Sequence, residues 1–491
     1  MCGTRASRWG AVWLRGQVRV AFLSSEAVPF AKTGGLGDVA GALPKALVGE
    51  GVDACLIHPL YDTTDRGLLG ERVFDNLEVD WLGRRRRVSV YLSYASGAPA
   101  FLIDAPDYFS RGKVYGSGDD HYRFAFFGRA ALSLLGRLGQ APDVLHGNDW
   151  PCGFALTWLW AGRPHGGFLA RTRTLMSVHN LAYQGAFDPG DLWRLGFRHG
   201  EESNVFMLDG AASALKAGLM TADAVSTVSP RYSFEIQGPE QGHGLDWLMR
   251  QRRDRLVGIT NGVDYDVWDP GTDPHLPAHY TAEDLSGKRA CKLELLRRFG
   301  LPEEPDRPVI ASISRLVAQK GFDLVRQVAR QMIEAGAFFV SLGSGESEYE
   351  NFFQRLKDGA PRRVAVYRGF SEPLAHLIEA GADIFLMPSL FEPCGLNQMY
   401  SMRYGTVPVV RATGGLDDTV EQFDPETGEG TGFKFGPYSA QALLDKVREA
   451  LYWYARPEAW LRIQRNGMSV DNSWGAAARK YVRLYHALFD M

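Results

Sequence analysis

Both halves of this chain alternate short apolar segments with longer stretches of helical periodicity. The apolar segments of the first half are residues 18–23, 52–57, 88–92, 100–103, 144–146, 174–178 and 224–228. Those of the second half are residues 309–313, 338–342, 363–367, 383–387 and 407–410. Short strands that alternate with helices favour βαβ units, and βαβ units build parallel sheets. The alternation therefore predicts an α/β fold with parallel sheets in both halves.

The length of the chain indicates two domains. Its 491 residues exceed what one hydrophobic core usually serves. A polar, proline-rich interval at 264–308 separates the halves, and we place the hinge near it. We predict domains at 18–265 and 266–473, followed by a final helical segment at 474–491. Residues 1–17 contain arginines but no acidic residue, and we expect them to form a disordered extension.

Charge and composition argue against several classes of partner. The formal net charge is -3, which gives no reason to expect nucleic-acid binding. The basic run at 84–87 lies beside an alternating segment and is typical of a solvated hairpin turn. No apolar stretch reaches the roughly 18 to 20 residues that cross a bilayer, so we expect no membrane partner. Five cysteines without a CxxC pair indicate reduced thiols in a cytoplasmic protein.

A glycine-rich segment follows the first apolar segment. Residues 32–39 read KTGGLGDV and open a helical stretch that ends near Leu47. Such a strand-to-helix turn directs backbone N–H groups and the positive end of a helix dipole at one point, and glycine lets a phosphate approach the backbone. Lys32 adds a positive charge. The competing interpretation is an ordinary turn in which glycine supplies only positive φ angles and close packing.

The second half has three comparable segments, each at the point where a predicted strand ends and a helix follows. They are SRLVAQKG at 314–321, FEPCGL at 391–396 and TGGL at 413–416. Ligands of open α/β sheets bind where the carboxyl ends of parallel strands meet. Arg315 and Lys320 bring a planar fork of donors and a flexible point charge to this edge. Phosphate-binding loops on both halves predict a ligand cleft.

Seven motifs, taken in order, resemble those of bacterial glycogen synthases and plant starch synthases, which are retaining glycosyltransferases of family 5. The motifs are KTGGLGDV at 32–39, SVHNLAYQG at 177–185, VSTVSPRYSFEI at 225–236, GITNGVD at 258–264, SRLVAQKGFDL at 314–324, FEPCGLNQMYSMRYGTVPVVRATGGLDDTV at 391–420 and GTGFKF at 430–435. The resemblance covers nearly everything from Val18 to the last helix. Several motifs in the right order are more specific than any one of them.

The resemblance implies a GT-B fold, in which two Rossmann-like domains with parallel sheets face an interdomain cleft. In this family the first domain mainly binds the acceptor, the second mainly binds the nucleotide-sugar donor, and the last helix returns to pack on the first domain. The implied reaction transfers glucose from ADP-glucose to the non-reducing end of an α-1,4-glucan with retention of anomeric configuration. The resemblance implies neither a cofactor nor a metal ion.

The chemistry of such a transfer is mostly electrostatic, because negative charge grows on the departing diphosphate. By resemblance, Arg315 and Lys320 contact the phosphates and stabilise the leaving group. Glu392 is placed beside the donor glucose, and we do not assign it as a covalent nucleophile. His179 is expected to contact the glucose, although a histidine at a strand end is more often a structural residue.

The resemblance implies further contacts to the donor and to the acceptor. The donor-binding residues are Lys32, Gly34, Gly35, Asp38, Asn180, Asn261, Phe370, Cys394, Thr413, Gly414 and Gly415. The acceptor-binding residues are Tyr115 and Asp149. Phe370 is assigned to stacking on the adenine, with core packing as the competing interpretation. Cys394 has no neighbouring histidine and is interpreted as a packed residue that lines the site.

Three positions depart from the usual pattern of the family. Tyr400 stands where related retaining transferases often carry a second glutamate, which leaves the ribose-binding carboxylate unidentified. Asn148 stands where relatives commonly carry histidine, and Trp247 stands where glycine is frequent. The last two departures bear on acceptor binding or loop mobility and leave the expected diphosphate contacts intact.

Other functions stay open on the sequence alone. A different retaining transferase of the same fold would use UDP-glucose or a small acceptor, and a non-catalytic relative would only bind glucan. The second alternative conflicts with five retained side chains that a pure binder does not need: Lys32, His179, Arg315, Lys320 and Glu392. A glycan phosphorylase, a further rival, requires pyridoxal phosphate.

Overall fold

The computed structural model describes residues 18–491, so the extension expected at 1–17 lies outside the described residues. The contacts between backbone positions divide the chain into two compact units. The first unit contains the described part of 1–228 together with 233–262 and 474–491. The second unit contains 229–232 and 263–473. Each unit has its own sheet and its own core.

The first unit is built from twelve strands and ten helices among the described residues. Its strands are β1 Arg19–Leu23, β2 Asp53–Pro59, β3 Glu71–Trp81, β4 Arg84–Ser93, β5 Ala100–Asp104, β6 Val144–Asn148, β7 Arg173–Val178, β8 Ala186–Phe187, β9 Met207–Leu208, β10 Ala211–Ser213, β11 Ala224–Thr227 and β12 Leu256–Gly258. Its helices are α1 Gly35–Gly49, α2 Pro106–Phe109, α3 Asp120–Leu138, α4 Asp149–Gly162, α5 Glu201–Asn204, α6 Ala214–Thr221, α7 Pro230–Glu235 (which begins in the segment grouped with the second unit), α8 Pro239–Gly242, α9 Asp246–Gln251 and α18 Trp474–Ala487.

The large sheet of the first unit has the strand order β12-β11-β7-β6-β1-β2-β5-β4-β3. The strands from β12 to β5 pair in parallel, which confirms the predicted α/β fold with a parallel sheet. At one edge, β4 pairs antiparallel with both β3 and β5. The sequence analysis did not predict β3, nor the small antiparallel sheet of β8, β9 and β10. The carboxyl ends of β1, β6 and β7 are neighbours in the sheet. The predicted site residues Lys32, Asp149 and His179 follow these three strands in the chain.

The hairpin of β3 and β4 explains the run of four arginines. Leu82 and Gly83 form the turn, and both have positive φ angles, of 52° and 72°, as two-residue hairpin turns require. The arginines therefore lie on β4 itself rather than in the turn. Arg85 forms ion pairs with Glu78 at 3.2 Å and Asp80 at 3.4 Å across the strands. Acidic side chains on β3 thus compensate this basic run on an exposed surface.

The last helix, α18, packs on α1 within the first unit. Tyr481, Leu484 and Tyr485 of α18 belong to the same buried cluster as Leu43 and Leu47 of α1. A buried hydrogen bond of 2.8 Å also joins the Tyr485 hydroxyl to Nδ1 of His146 on β6. The end of the chain is therefore part of the core of the first unit.

The second unit has six strands and eight helices in the region that the structure describes. Its strands are β13 Val309–Ile313, β14 Phe338–Gly343, β15 Val364–Arg368, β16 Ile384–Met387, β17 Val407–Arg411 and β18 Phe433–Phe435. Its helices are α10 Ser286–Arg298, α11 Phe322–Glu334, α12 Ser347–Gly359, α13 Glu372–Gly381, α14 Asn397–Arg403, α15 Gly414–Thr419, α16 Ala440–Tyr454 and α17 Pro457–Ser469.

The sheet of the second unit is parallel throughout, with the order β15-β14-β13-β16-β17-β18. Helix α11 shows why these segments are helical, because Phe322, Val325, Val328 and Met332 recur every three or four residues and are buried. The interval at 264–308, near which the sequence places the hinge, contains α10 and belongs to the second unit.

None of the helices within residues 18–491 has the length and apolar character needed to cross a membrane.

Buried histidines make the first unit sensitive to acid. Burial lowers the pKa of His58 and of His146 to about 3. Both are neutral in the folded chain, whereas their unfolded forms take up a proton below a pKa of about 6.5. The stability that they contribute is therefore complete above pH 6.5 and is lost as the pH falls toward 3.

We expect the free energy of unfolding to fall less steeply between pH 6.5 and 4.5 in His58→Leu than in the wild type. The difference should approach about 1.4 kcal/mol per pH unit, the value for one proton. Urea unfolding of the whole chain at several pH values measures it. His199→Leu, at an exposed position, is the matched control. Equal pH dependence in His58→Leu and wild type would contradict the assignment.

Candidate active site

Four residues follow two neighbouring strands at the carboxyl edge of the second sheet. Arg315 follows β13, and Lys320 lies five residues further along the same loop. Ser389 and Glu392 follow β16, the neighbouring strand. We call Arg315, Lys320, Ser389 and Glu392 the Lys320 cluster. Its central contact is an ion pair of 2.6 Å between Lys320 Nζ and Glu392 Oε2, and Ser389 Oγ donates to the same oxygen at 3.1 Å.

The two cations of the Lys320 cluster differ in how deeply they are buried and in whether a carboxylate pairs with them. The Glu392 side chain is 8% exposed and that of Lys320 is 20% exposed, so their charges compensate each other in a mostly buried position. The Arg315 guanidinium is exposed, and no ion pair or hydrogen bond joins it to another described side chain. Arg315 therefore offers an uncompensated positive charge, whereas Lys320 is held in place by Glu392.

Two glycines bring the neighbouring loops into contact with the Glu392 loop. Gly321 has a φ of 76°, and a Cβ there would lie 2.0 Å from the carbonyl oxygen of Pro388. Gly414 has a φ of 45°, and a Cβ there would lie 2.0 Å from the carbonyl oxygen of Glu392. Backbone hydrogen bonds complete the contact, with Leu390 N–H donating to Gln319 O at 2.8 Å. The glycines allow the close approach that fixes Lys320 beside Glu392.

In the segment at 413–416, one of the backbone N–H groups expected to bind phosphate is hydrogen-bonded within the protein. The N–H of Gly415 donates to the carbonyl oxygens of Glu392 and Pro393, at 3.1 Å each. A Cβ on Gly415 would lie 2.1 Å from the carbonyl oxygen of Cys394. The Gly415 N–H thus secures the loop of Glu392, and the donor contact of Gly415 stays a prediction. Thr413, by contrast, lies at the sheet edge after β17.

Phe370 and Cys394 have opposite surroundings. The Phe370 side chain is 74% exposed, which excludes the competing interpretation of core packing. It follows β15 at the same carboxyl edge of the sheet as the Lys320 cluster. Cys394 is buried, as expected for a packed residue next to Glu392. The adenine contact of Phe370 stays a prediction.

In the first unit, two consecutive side chains of the sheet edge, Asn148 and Asp149, converge on His179. Asn148 ends β6, Asp149 follows it, and His179 follows β7. Asn148 Oδ1 lies 2.9 Å from His179 Nε2, and Asp149 Oδ1 accepts from the His179 N–H at 2.8 Å. We call Asn148, Asp149 and His179 the His179 cluster. It confirms no role by itself, but it shows that the predicted His179 and Asp149 are in direct contact.

Burial sets the ionisation of the His179 cluster. Desolvation lowers the pKa of His179 to about 4, so the imidazole is neutral near pH 7. Desolvation raises the pKa of Asp149 to about 7, which the His179 N–H partly opposes. One oxygen of Asp149 is committed to the His179 backbone, and the acceptor-binding role of Asp149 stays a prediction.

The glycine-rich loop after β1 is organised by a glutamate that the sequence analysis missed. Glu26 is 4% exposed, and its Oε2 accepts from the N–H groups of Thr33 at 2.5 Å and Gly34 at 2.8 Å. These two N–H groups are therefore committed to Glu26, and the donor contact of Gly34 stays a prediction. The signal in the sequence was a single acidic residue between the first strand and the glycines.

Tyr115 belongs to the same buried arrangement. Its hydroxyl donates to Glu26 Oε1 at 2.8 Å and therefore accepts from Ser25 Oγ, also at 2.8 Å. The hydroxyl of this predicted acceptor-binding residue is committed to the protein, and only the partly buried ring is left for a ligand.

The remaining predicted residues of the first unit lie at the carboxyl edge of its large sheet, at the surface or just beneath it. Lys32 is exposed and pairs with Asp38 at 2.7 Å. A Cβ on Gly35 would meet no atom within 4 Å, so the space beside the loop is open.

Asn180 Oδ1 accepts from Ala182 N–H at 3.0 Å and shapes the turn after His179. Asn261 is buried after β12, and its Oδ1 has no hydrogen-bond partner among residues 18–491.

No group of three or more His, Cys, Asp and Glu side chains in the described chain is placed to hold a metal ion. The arrangement instead offers cations, neutral imidazole and carboxylates. Such groups suit electrostatic stabilisation of a leaving group and hydrogen bonding to a polar substrate.

Two protein families match this chain. Residues 19–251 match the starch synthase catalytic domain, and residues 296–465 match the glycosyl transferases group 1 family. Glycogen synthase from Anaeromyxobacter sp. (strain Fw109-5) is 46% identical over 482 residues, which cover 96% of this chain and 99% of that relative. Glycogen synthase from Bacillus cereus (strain ATCC 10987 / NRS 248) is 41% identical over 482 residues, with coverage of 96% and 100%.

Solved structures agree with these relatives. The catalytic domain of starch synthase IV from Arabidopsis thaliana, bound to ADP and acarbose, has a TM-score of 0.88 and 34% identity, covering 97% of this chain and 100% of that one. Sucrose-phosphate synthase from Thermosynechococcus elongatus has a TM-score of 0.59 and 18% identity, with coverage of 96% and 100%, and supports the fold alone. The predicted GT-B fold is confirmed.

Gly414→Ala should destabilise the chain by more than about 1 kcal/mol, because the added methyl group would meet the Glu392 carbonyl oxygen at a strained φ. The shift of the urea unfolding midpoint measures this effect. Gly359→Ala is the matched control, since a Cβ at this helical position meets no atom within 4 Å. There we expect unchanged or slightly higher stability. Equal midpoints for both variants would show that the close approach is not required.

Proposed function

Because the chain belongs to the glycogen and starch synthase family and is a glucosyltransferase, we propose that its donor is ADP-glucose and its acceptor an α-1,4-glucan such as glycogen. Glucose is added at the non-reducing end with retention of anomeric configuration. The observation that carries the proposal is the Lys320 cluster, which places two cations and a carboxylate at one sheet edge. The relative that binds ADP supports the choice of nucleotide.

The leaving group is a nucleoside diphosphate, and the proposed roles of Arg315 and Lys320 follow from its charge. As the bond from the anomeric carbon to the phosphate breaks, negative charge grows on the diphosphate. Arg315 presents a planar fork of donors with no competing carboxylate, which suits bidentate contact with phosphate oxygens. Lys320 keeps one hydrogen bond to Glu392 and has two further N–H donors for the phosphates.

Glu392 has a positioning role toward Lys320 and a contact role toward the sugar. One oxygen accepts from both Lys320 and Ser389, so the second oxygen is available for hydroxyl groups of the donor glucose. The carboxylate also opposes the positive charge that develops on the sugar ring. We assign no covalent intermediate to it. Retention then follows from attack on the same face, with the departing phosphate taking the proton of the acceptor hydroxyl.

The first unit supplies the proposed polar contacts to the glucosyl group and the phosphates. His179, neutral near pH 7, contacts the sugar, and Asn180 lies beside it in the chain. Lys32 is exposed and reaches the diphosphate, while Asp38 holds its ammonium group. Open space beside Gly35 leaves room for a ligand next to the backbone. Acceptor binding is assigned to this unit, through the ring of Tyr115 and through Asp149.

The adenine and the cellular location complete the proposal. The exposed Phe370 ring offers a face on which the adenine stacks. We also propose a cytoplasmic location, in keeping with the four buried cysteines that form no disulfide in the described chain, which are Cys55, Cys152, Cys291 and Cys394.

Donor choice is tested by incubating the purified chain with radiolabelled ADP-glucose and glycogen, and by adding unlabelled ADP-glucose or UDP-glucose as competitors. We expect unlabelled ADP-glucose to halve incorporation at a concentration at least about tenfold lower than UDP-glucose, an energy difference of about 1.4 kcal/mol. An exo-hydrolase specific for α-1,4 ends should release the label. Stronger competition by UDP-glucose would reverse the donor assignment. Glycogen retention without release of ADP would indicate a binding protein.

Arg315→Ala should lower kcat by about 100-fold or more, because loss of one preorganised donor to a developing anion has an effect of this size. Stability should change little, since the Arg315 side chain is exposed. Initial rates with saturating glycogen measure the effect. Arg330→Ala removes an exposed arginine from helix α11 and serves as the control. Equal rates for Arg315→Ala and the wild type would exclude Arg315 from the mechanism.

A further inference from the structure

Two consecutive residues, Asn148 and Asp149, both contact His179. Successive side chains of an extended strand point to opposite faces, so neighbours rarely reach the same residue. Here Asp149 has a φ of 53°, a left-handed conformation that non-glycine residues seldom adopt. The turn lets Asp149 hold the backbone N–H of His179 while Asn148 holds its ring. Such backbone strain persists where the surrounding contacts require it and is common at functional sites.

The orientation of the Asn148 amide is fixed by its other contact. Its Nδ2 donates to the carbonyl oxygen of Leu23, the last residue of β1, at 2.9 Å. A backbone carbonyl only accepts hydrogen bonds, so the nitrogen must face Leu23. The amide oxygen therefore faces His179 Nε2, at 2.9 Å. Asn148 is fully buried, so the solvent does not compete for either contact.

This orientation determines which ring nitrogen of His179 carries the proton. An amide oxygen only accepts, so Nε2 must donate and must be protonated. Burial lowers the pKa of His179 to about 4, so near pH 7 the ring carries a single proton. With that proton on Nε2, the other nitrogen, Nδ1, has a free lone pair and accepts hydrogen bonds.

We propose that Asn148 is a positioning residue that holds His179 as the Nε2–H tautomer, so that Nδ1 accepts a hydrogen bond from a hydroxyl group of the donor glucose. The inference rests on the proposed function, because it takes the glucosyl group as the ligand of His179. A carboxamide suits this role, because its oxygen accepts from Nε2 while its nitrogen donates to the carbonyl oxygen of Leu23.

The tautomer is tested first in the unmodified protein. The full chain is labelled with 15N at its histidine rings, and a two-bond proton–nitrogen correlation spectrum is recorded near pH 7 without donor. His179→Asn identifies the signals of His179 by their loss. We expect a protonated Nε2 and an unprotonated Nδ1. A protonated Nδ1 would overturn the inference. The spectrum needs no variant of Asn148, so poor folding of such a variant leaves this test decisive.

Activity then separates positioning from a merely structural contribution. Asn148→Leu and Asn148→Asp both lose the donor to Leu23, but only Asn148→Asp keeps an acceptor toward Nε2. We expect kcat/KM for the donor to fall by about tenfold or more in Asn148→Leu, as for groups that orient a functional histidine. Asn148→Asp should recover much of this loss. Equal or greater loss in Asn148→Asp, with folding intact, would overturn the inference.

Two controls keep this test apart from the donor test. Asn76→Leu changes an exposed asparagine of β3 and should leave the rate unchanged. A wild type that is active with ADP-glucose but shows Nδ1 protonated would refute the role of Asn148 alone. A wild type with the expected tautomer but no transfer from ADP-glucose would refute the choice of donor, while the tautomer set by Asn148 would stand.

Discussion

The ion pair between Lys320 and Glu392 is the contact on which the Lys320 cluster of the second unit depends. It joins the loop after β13 to the loop after β16, two strands that are neighbours in the sheet. Removal of either partner would leave a largely buried charge uncompensated, which costs more than loss of an exposed pair. The tight packing at Gly321 holds these two loops close enough for the charges to meet, and Gly414 packs a third loop, after β17, against the Glu392 loop.

The first unit also has a buried carboxylate that orders a loop, but its partners are different. Glu26, like Glu392, is a buried carboxylate beside a glycine-containing loop, but its partners are two backbone N–H groups and the hydroxyl of Tyr115. Each glutamate thus accepts hydrogen bonds from groups that the sequence analysis assigned to phosphate binding. The donors left for a ligand are side chains held by these carboxylates or close to them. In each unit, a buried carboxylate orders its loop through contacts within the protein, and order of this kind favours electrostatic catalysis.

The sequence predicted most of the sheet and the identity of the charged residues, because both leave local signals. Apolar segments mark buried strands, and residues such as Arg315 and Lys320 stand at strand ends. The hairpin strand β3 was missed because its exposed, charged face breaks the apolar run. Glu26 was missed because its importance arises from contacts with Tyr115, a residue 89 positions away, which no local pattern records. The commitment of the Gly415 N–H to Glu392 was hidden for the same reason, since sequence spacing indicates a turn but not its neighbours.

The balance of charge explains why both paired and unpaired cations are present. Lys320 is compensated by Glu392 and Lys32 by Asp38, so each pair is neutral and well oriented. Arg315 alone in the Lys320 cluster carries an uncompensated charge at the surface. The proposed function assigns both cations to the departing diphosphate, because the Arg315 fork is unopposed and Lys320 still has N–H groups to donate while it keeps its carboxylate. In that proposal the neutral His179 adds hydrogen bonding without further charge.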